Sequence, residues 1–331
     1  MQKAAPHIQG TKKQTPRFTG AVTMLFLLFL LTANPVWAKT YNIFIVSSDN
    51  SPVYTRIINT IQTTVSTSEN TTAIFSILYL KNTSTTALLQ NRASGQDLIL
   101  TIGQRAMIAV TKISNSPPII ATLIPKQSYD KYRSTLRKAN NKTTATFIDN
   151  PPERQILLAK LILGDVQRLG VLVGENPPYG KIRDTIQSLG IHSHIETVRE
   201  NDNLIRKLSR MLSNSDAFLA LPDAQIFNRR NAKNILLTTY RQRTPVIAYS
   251  ASYVKAGALA AIYSTPQQLS EQIGNLLLSI LRSKLSFPLT NSYPEKFEVA
   301  INKNVAKSLG IPPHDETEIK NKLLKILRGK K

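Results

Sequence analysis

The chain has 331 residues and a hydrophobic fraction of 42%, which argues against wholesale disorder and suits two domains better than one small core. It contains no cysteine, which excludes disulfides, thiolate catalysis, cysteine metal sites and a lipid-modified cysteine anchor. Lys and Arg number 42 against 20 Asp and Glu, for a net charge of +22, so nucleic acid, an anionic membrane or an acidic ligand must be weighed as partners.

The first 38 residues carry an export pattern. Lys3, Lys12, Lys13 and Arg17 form a basic region without acidic residues, and Ala21–Leu31 is an apolar core. Val36-Trp37-Ala38 places small residues where a signal peptidase needs them. The apolar run is shorter than the ~20 residues of a membrane span, so cleavage after Ala38 is expected rather than an uncleaved anchor helix.

From there, short apolar runs of strand character alternate with helical periodicity. Strands are predicted at 41–47, 73–80, 97–102, 118–123 and 144–148, then at 168–173, 192–198, 217–221, 245–249, 258–263 and 296–301. Helices are predicted at 54–66, 105–113, 152–163, 179–189, 201–212, 226–241, 266–285 and 304–309. Continuous apolar strands interleaved with helices imply parallel sheets covered on both faces.

The pattern runs twice, with "DNPPERQ" (Asp149 to Gln155) between the series. There Asp149 or Asn150 is expected to cap a helix opened by proline. The stretch 134–144 is polar and basic and reads as a surface connection. The basic residues are scattered except in the tail "KNKLLKILRGKK" from Lys320 to Lys331. Ile319, Leu323, Ile326 and Leu327 share one face there, and a solvated terminal helix is expected rather than a membrane or nucleic-acid arm.

Catalytic signatures are few. "GENPPYGK" (Gly174 to Lys181) resembles a phosphate-binding loop, but five residues separate its glycines and Ile182 stands where Ser or Thr should bind magnesium. His192 and His194 share a strand face without an acidic partner pattern, and read as surface or structural histidines. Instead, polar residues recur at the carboxyl ends of predicted strands, where open α/β sheets bind ligands. They are Ser47-Ser48-Asp49, Gly103-Gln104, Thr122, Glu175-Asn176, Pro222-Asp223 and Tyr249-Ser250. Singly each reads as an ordinary cap. Together they suggest a cleft between two similar lobes, lined by hydroxyls, an amide and carboxylates.

Five ordered stretches carry a family resemblance: "DLILTIGQRAM", "RLGVLVGENPPYG", "SDAFLALPDAQIFN", "ILLTTYRQRTPVIAYSASYVKAGALAAIYSTPQQLSEQ" and "FEVAINKNVAKSLGI". In these the chain resembles the periplasmic substrate-binding proteins of ABC transporters, in the branch with tryptophan/tyrosine-type binding components. The resemblance implies an α/β type I periplasmic-binding-protein architecture: two Rossmann-like lobes with parallel sheets, a hinge of three crossings and an interlobe cleft. It places 39–148 and about 266–290 in the first lobe, and 149–265 with about 291–331 and the basic helix in the second. Gly103, Asp223, Tyr249, Ser250 and Gly257 fall on the family's cleft positions, and Pro222-Asp223 would open a helix aimed into the cleft. Tyr249, Tyr253 and Tyr263 would supply aromatic walls.

The implied partners are a small molecule and an ABC permease and ATPase, with no nucleic acid and no cofactor. The expected protein is monomeric, periplasmic and not lipid-anchored, and catalysis is not implied. A ligand sensor on the same scaffold and an exported hydrolase are the alternatives. The positive net charge suggests a carboxylate on the ligand.

Overall fold

The computed structural model describes residues 39–68, 71–80, 85–175, 181–288 and 290–329. The expected export signal and Asn176 lie outside these, as does most of the phosphate-loop look-alike.

The first sheet contains β1 (Thr40–Ser47), β2 (Thr72–Tyr79), β3 (Leu98–Ile102), β4 (Ile119–Ile124) and β5 (Thr143–Phe147). Between these strands run α1 (Pro52–Ser66), α2 (Thr86–Ala93), α3 (Gln104–Val110) and α4 (Lys126–Ala139). The strand order is β2-β1-β3-β4-β5, all parallel. Alternating residues of β1 face opposite layers, as the two-residue period of a strand requires. Ile43 and Ile45 join α1 on one face, while Phe44 and Val46 join α3 and α4 on the other.

The chain then crosses to a second sheet through α5 (Pro152–Leu163). Next come β6 (Arg168–Val173), α6 (Ile182–Ser188), β7 (His192–Thr197), α7 (Leu204–Leu212), β8 (Ala217–Leu219) and α8 (Ala232–Arg241). The series ends with β9 (Val246–Ala248), α9 (Ala251–Ala256) and β10 (Ala260–Tyr263). Helix α10 (Pro266–Arg282) leads back to the first layer, and β11 (Glu298–Ile301), α11 (Lys303–Leu309) and α12 (Glu316–Arg328) complete the chain. The strand order is β11-β10-β9-β8-β6-β7, with only β11 antiparallel to its neighbour.

Helix α10 begins with a full capping box, in which Gln268 N–H donates to Thr265 Oγ1 and Thr265 N–H to Gln268 Oε1. It packs on α1, where Ile273, Leu277, Ile280 and Leu281 meet Ile57, Ile58 and Ile61. Gly274 permits the approach, because a Cβ there would stand 2.8 Å from Thr64. Beyond α10, Ser292 bridges to Thr146 in parallel fashion, extending the first sheet by one residue beside β5.

Four expectations need correction. The supposed surface connection at 134–144 includes the last turns of α4, which was missed because it buries only Tyr129 and Leu136 and is otherwise polar. Between the strands predicted at 245–249 and 258–263, where no helix was expected, Ala251–Ala256 forms the short helix α9. The helix predicted at 226–241 starts at Ala232, after a run of turns, so Pro222-Asp223 opens a turn and not a helix. The basic tail is docked, with Ile319 1% and Leu323 0% exposed in the core beneath α5 and β11. The exposed side of α12 carries Glu318, Asn321, Lys322 and Lys325.

Candidate functional site

Strand order reverses between β1 and β3 in one sheet and between β6 and β8 in the other. Carboxyl ends of strands diverge at such points and leave a crevice. A cavity of about 440 Å³ lies where the two sets of strand ends meet. Gln104 after β3, Pro125 after β4 and Ile148 after β5 form one wall. Pro222 after β8, Tyr249 after β9 and Tyr263 at the end of β10 form the other.

Two chain crossings, at Asp149 and Ser264, close the back of this cavity, and polar side chains lace them to a third at 294–296. The Arg154 guanidinium donates to Asn150 Oδ1 at 2.6 Å and to the Pro294 carbonyl at 2.7 Å. Asn150 Nδ2 donates to Ser264 Oγ at 3.2 Å, and Ser264 Oγ donates to the Lys296 carbonyl at 2.7 Å. Each crossing is thereby tied to another. Neither Asp149 nor Asn150 caps α5, whose N-cap is Pro151.

Asp149 instead turns to the first lobe. Its Oδ2 accepts a 2.6 Å bond from the Lys126 amide at the start of α4, although the group is only 4% exposed and lines the cavity. Burial pushes its carboxyl up to about 6, against the opposing pull of the Lys126 amide and charge. Helix α4 can start here because β4 ends in a bulge, with Leu123 at φ 52 and the register shifted between Thr122 and Ile124.

The other wall is aromatic. The Phe227 ring lies 6.0 Å from both Tyr249 and Tyr253 in edge-on contacts, and the two tyrosines are 5.2 Å apart. Burial raises the Tyr249 hydroxyl, as do Tyr253, Asp149 and Asp223 in turn, so this hydroxyl sits within the field of both carboxylates. Burial is also the main cause raising Tyr253 and Tyr263.

The residues singled out from sequence divide into three groups. Gln104, Pro222, Asp223, Tyr249 and Ser250 line the cavity. Tyr253 backs Tyr249 from behind. A second group is buried with its polar atoms engaged internally. Ser47 Oγ donates to the Asp49 carbonyl, Ser48 Oγ accepts from the Ala106 amide, and Thr122 Oγ1 donates to the Thr101 carbonyl.

Gly103 serves the same junction, with φ 89 and a Cβ position 2.7 Å from Ser48 Oγ, which leaves no room for a side chain. The last group lies elsewhere. Glu175 borders an open cleft of about 910 Å³ built from the second lobe, with Arg199, Asp202 and Arg229. Gly257 caps the far end of α9 at φ 123, at the opposite end of β10 from Tyr263.

Asp223 belongs to both roles. Its Oδ2 accepts from the Gly174 amide and its Oδ1 from the Gln225 amide, both at 2.9 Å, which clamps β6 to the turn after β8. Ser250 Oγ, in turn, accepts the Tyr253 amide at 3.4 Å as the N-cap of α9. Sequence reasoning missed Gln127 and Ser128, carried on the unforeseen α4, and Phe227, hidden in a supposed helix. It noticed Asp149 only as a cap for the wrong helix. Following a strand and two residues before a proline pair, Asp149 carried a strand-end signal like that of Asp223.

Among the described residues no helix is long and apolar enough to cross a membrane, and no three His, Asp or Glu are grouped to hold a metal ion.

The fold matches solved structures at low sequence identity. A ligand-free, open substrate binding protein with adhesive properties from Clostridium difficile is 16% identical at a TM-score of 0.63, covering 83% of this chain and 96% of that one. An ABC domain in complex with L-Trp from Streptococcus pneumoniae is 17% identical at a TM-score of 0.55, covering 86% and 98%. A periplasmic ribose ABC transporter structure from Conexibacter woesei is 10% identical at a TM-score of 0.51, covering 86% and 98%. No curated protein matches this chain by sequence. The family model described as ABC transporter substrate binding protein matches residues 78–322. With two parallel-sheet lobes around a walled cavity and a family match over most of its length, this chain belongs to the ABC transporter substrate binding proteins.

Proposed function

We propose that the protein is exported, captures a small molecule in the 440 Å³ cavity between its lobes, and presents the closed form to an ABC permease for import. The observation that carries this reading is the composition of the cavity. Its walls come from strand ends of both sheets, and its floor comes from the crossings at Asp149 and Ser264. A ligand touching both walls favours the closed arrangement by its differential affinity for it. The volume suits a small organic molecule, and the aromatic wall of Phe227, Tyr249 and Tyr263 suits an apolar or planar portion.

The related structure bound to L-Trp makes aromatic compounds a rational first panel. Engagement of the Ser250 hydroxyl at the α9 N-terminus supports a binding role over a nucleophilic one.

A thermal-shift screen tests the reading. A ligand present at ~100-fold its Kd stabilises by about 2.7 kcal/mol. Tyr249→Ala removes wall area and is expected to abolish most of that shift while moving the ligand-free melting point less. Equal losses in both would mean that Tyr249 only holds the fold. Once a ligand is found, its uptake by cells should require both this protein and an ABC permease.

A further inference from the structure

The charge of the molecule and the charge of its cavity have opposite signs. The chain carries +22 overall, yet none of the described residues lining the cavity is Lys, Arg or His, and the charged ones are Asp149 and Asp223. They are 4% and 3% exposed. An isolated buried carboxylate is unfavourable unless it is paired or hydrogen-bonded. Asp223 has two amide partners that fix both oxygens. Asp149 has the Lys126 amide on Oδ2, and the Lys126 ammonium is turned to Asp130.

An anion, by contrast, finds no charged partner. Helix α4 starts beside this wall with its first amide bonded to Asp149, and α10, which also starts beside the cavity, opens with proline and has its Gln268 amide on Thr265 Oγ1. The Tyr249 hydroxyl lies within reach of the field of both carboxylates, and the rings of Phe227, Tyr249 and Tyr263 offer electron-rich faces.

We propose that this cavity selects a ligand bearing a positive charge, a protonated amine on an aromatic or apolar body, with Asp149 binding the charge and the Phe227–Tyr249 wall holding the body. The proposal rests on the reading that the cavity is the ligand site. It reverses the inference drawn from net charge alone, because no described basic residue lines the cavity while two acids do. A cation over an aromatic face within about 6 Å is attracted to it as well. Desolvation inside the cavity strengthens both contacts relative to water.

The groups around Asp149 define the pH response. Lys126 and Asp130 belong to α4, Arg154 to α5, Tyr249 to the turn before α9 and Tyr293 to the returning chain, with Asp223 across the cavity. Lys126 is paired with Asp130, and Arg154 is held by Asn150 and Pro294. Burial pushes both tyrosines up and away from neutrality, while the Asp149 carboxyl lies at about 6. Acidification from pH 7 to pH 5 therefore neutralises Asp149 and reduces its ionised fraction roughly tenfold.

Calorimetric titration of the purified exported protein with matched compounds tests this. The zwitterions are tyrosine and tryptophan, the amines are tyramine and tryptamine, which lack the carboxylate, and the acids are the corresponding arylpropionates, which lack the amino group. An amine is expected to bind at least tenfold tighter than its acid and its zwitterion, and to lose about tenfold in affinity between pH 7 and pH 5. Asp149→Asn should weaken amine binding about tenfold and remove the pH dependence. Should that variant fold poorly, the wild-type pH series carries the test alone.

An acid or zwitterion binding as tightly as the amine, amine affinity indifferent to pH, or no amine binding at 10 mM would overturn the proposal. If neutral or anionic compounds bind and Tyr249→Ala abolishes that binding, the cavity reading stands and only the charge selection falls. If no compound of any class binds, the cavity reading itself falls.

Discussion

Leu323→Ala is expected to lower the stability of the protein by about 2–5 kcal/mol, the range for truncating a fully buried leucine. Leu323 is 0% exposed and packs with Ile319 into the core that holds Ile156, Ile162, Phe297 and Val299. The terminal helix therefore closes one face of the second sheet, and it also bonds the edge strand β11. The Ile301 amide donates to Glu316 at 2.8 Å, and Lys320 bonds both oxygens of Glu298 on that strand. The solvated side behaves differently. Lys322 pairs with Glu318 on the surface, and Lys322→Ala should cost no more than about 1 kcal/mol. Urea melts of the two variants separate the roles, and similar melts would make α12 an appendage.

Asp149→Asn is expected to change how stability depends on pH. The carboxyl is raised from its ordinary 3.8 to about 6 in the folded protein, chiefly by burial. A raised acid binds its proton more tightly when folded, so the folded state is favoured while the group is protonated. That advantage is lost as pH rises from the unfolded value to the folded one. The wild type should thus lose about 2 kcal/mol, relative to Asp149→Asn, between roughly pH 4 and pH 6. The asparagine keeps an oxygen for the Lys126 amide and carries no charge to bury. Parallel melts of both proteins across this range would show their curves diverging, and a constant offset would contradict the burial argument. A bound amine at neutral pH should recover part of the cost for the wild type alone.

How much of this molecule could be read from its sequence depended on local signal. "RLGVLV" is a strand to the residue, because a run of apolar residues ending at a glycine suits a strand buried on both faces. The α/β class followed from the repetition of such runs. Helix α4 escaped because its stabilising face is two residues, Tyr129 and Leu136, on an otherwise charged and polar segment. Helix α9 escaped because six residues show no period.

The site was half legible for a related reason. A polar residue at a strand end is visible in sequence, but the direction of its side chain is set by the neighbouring strand. Ser48 follows β1 and Asp223 follows β8, each at a strand end beside the crevice of its own sheet. Ser48 closes on the Ala106 amide, whereas Asp223 spans to Gly174 and still borders the cavity. Net charge was the least informative feature, since it averages an acidic cavity with a basic exterior.

A crystal structure of the protein purified with its ligand from the cells that export it tests the central claim most directly. The account predicts one small molecule enclosed between Pro125 and Gln127 of the first lobe and Phe227 and Tyr249 of the second, within reach of Asp149. A ligand seated instead in the open cleft beside Arg199 and Arg229, touching the second lobe alone, would contradict it.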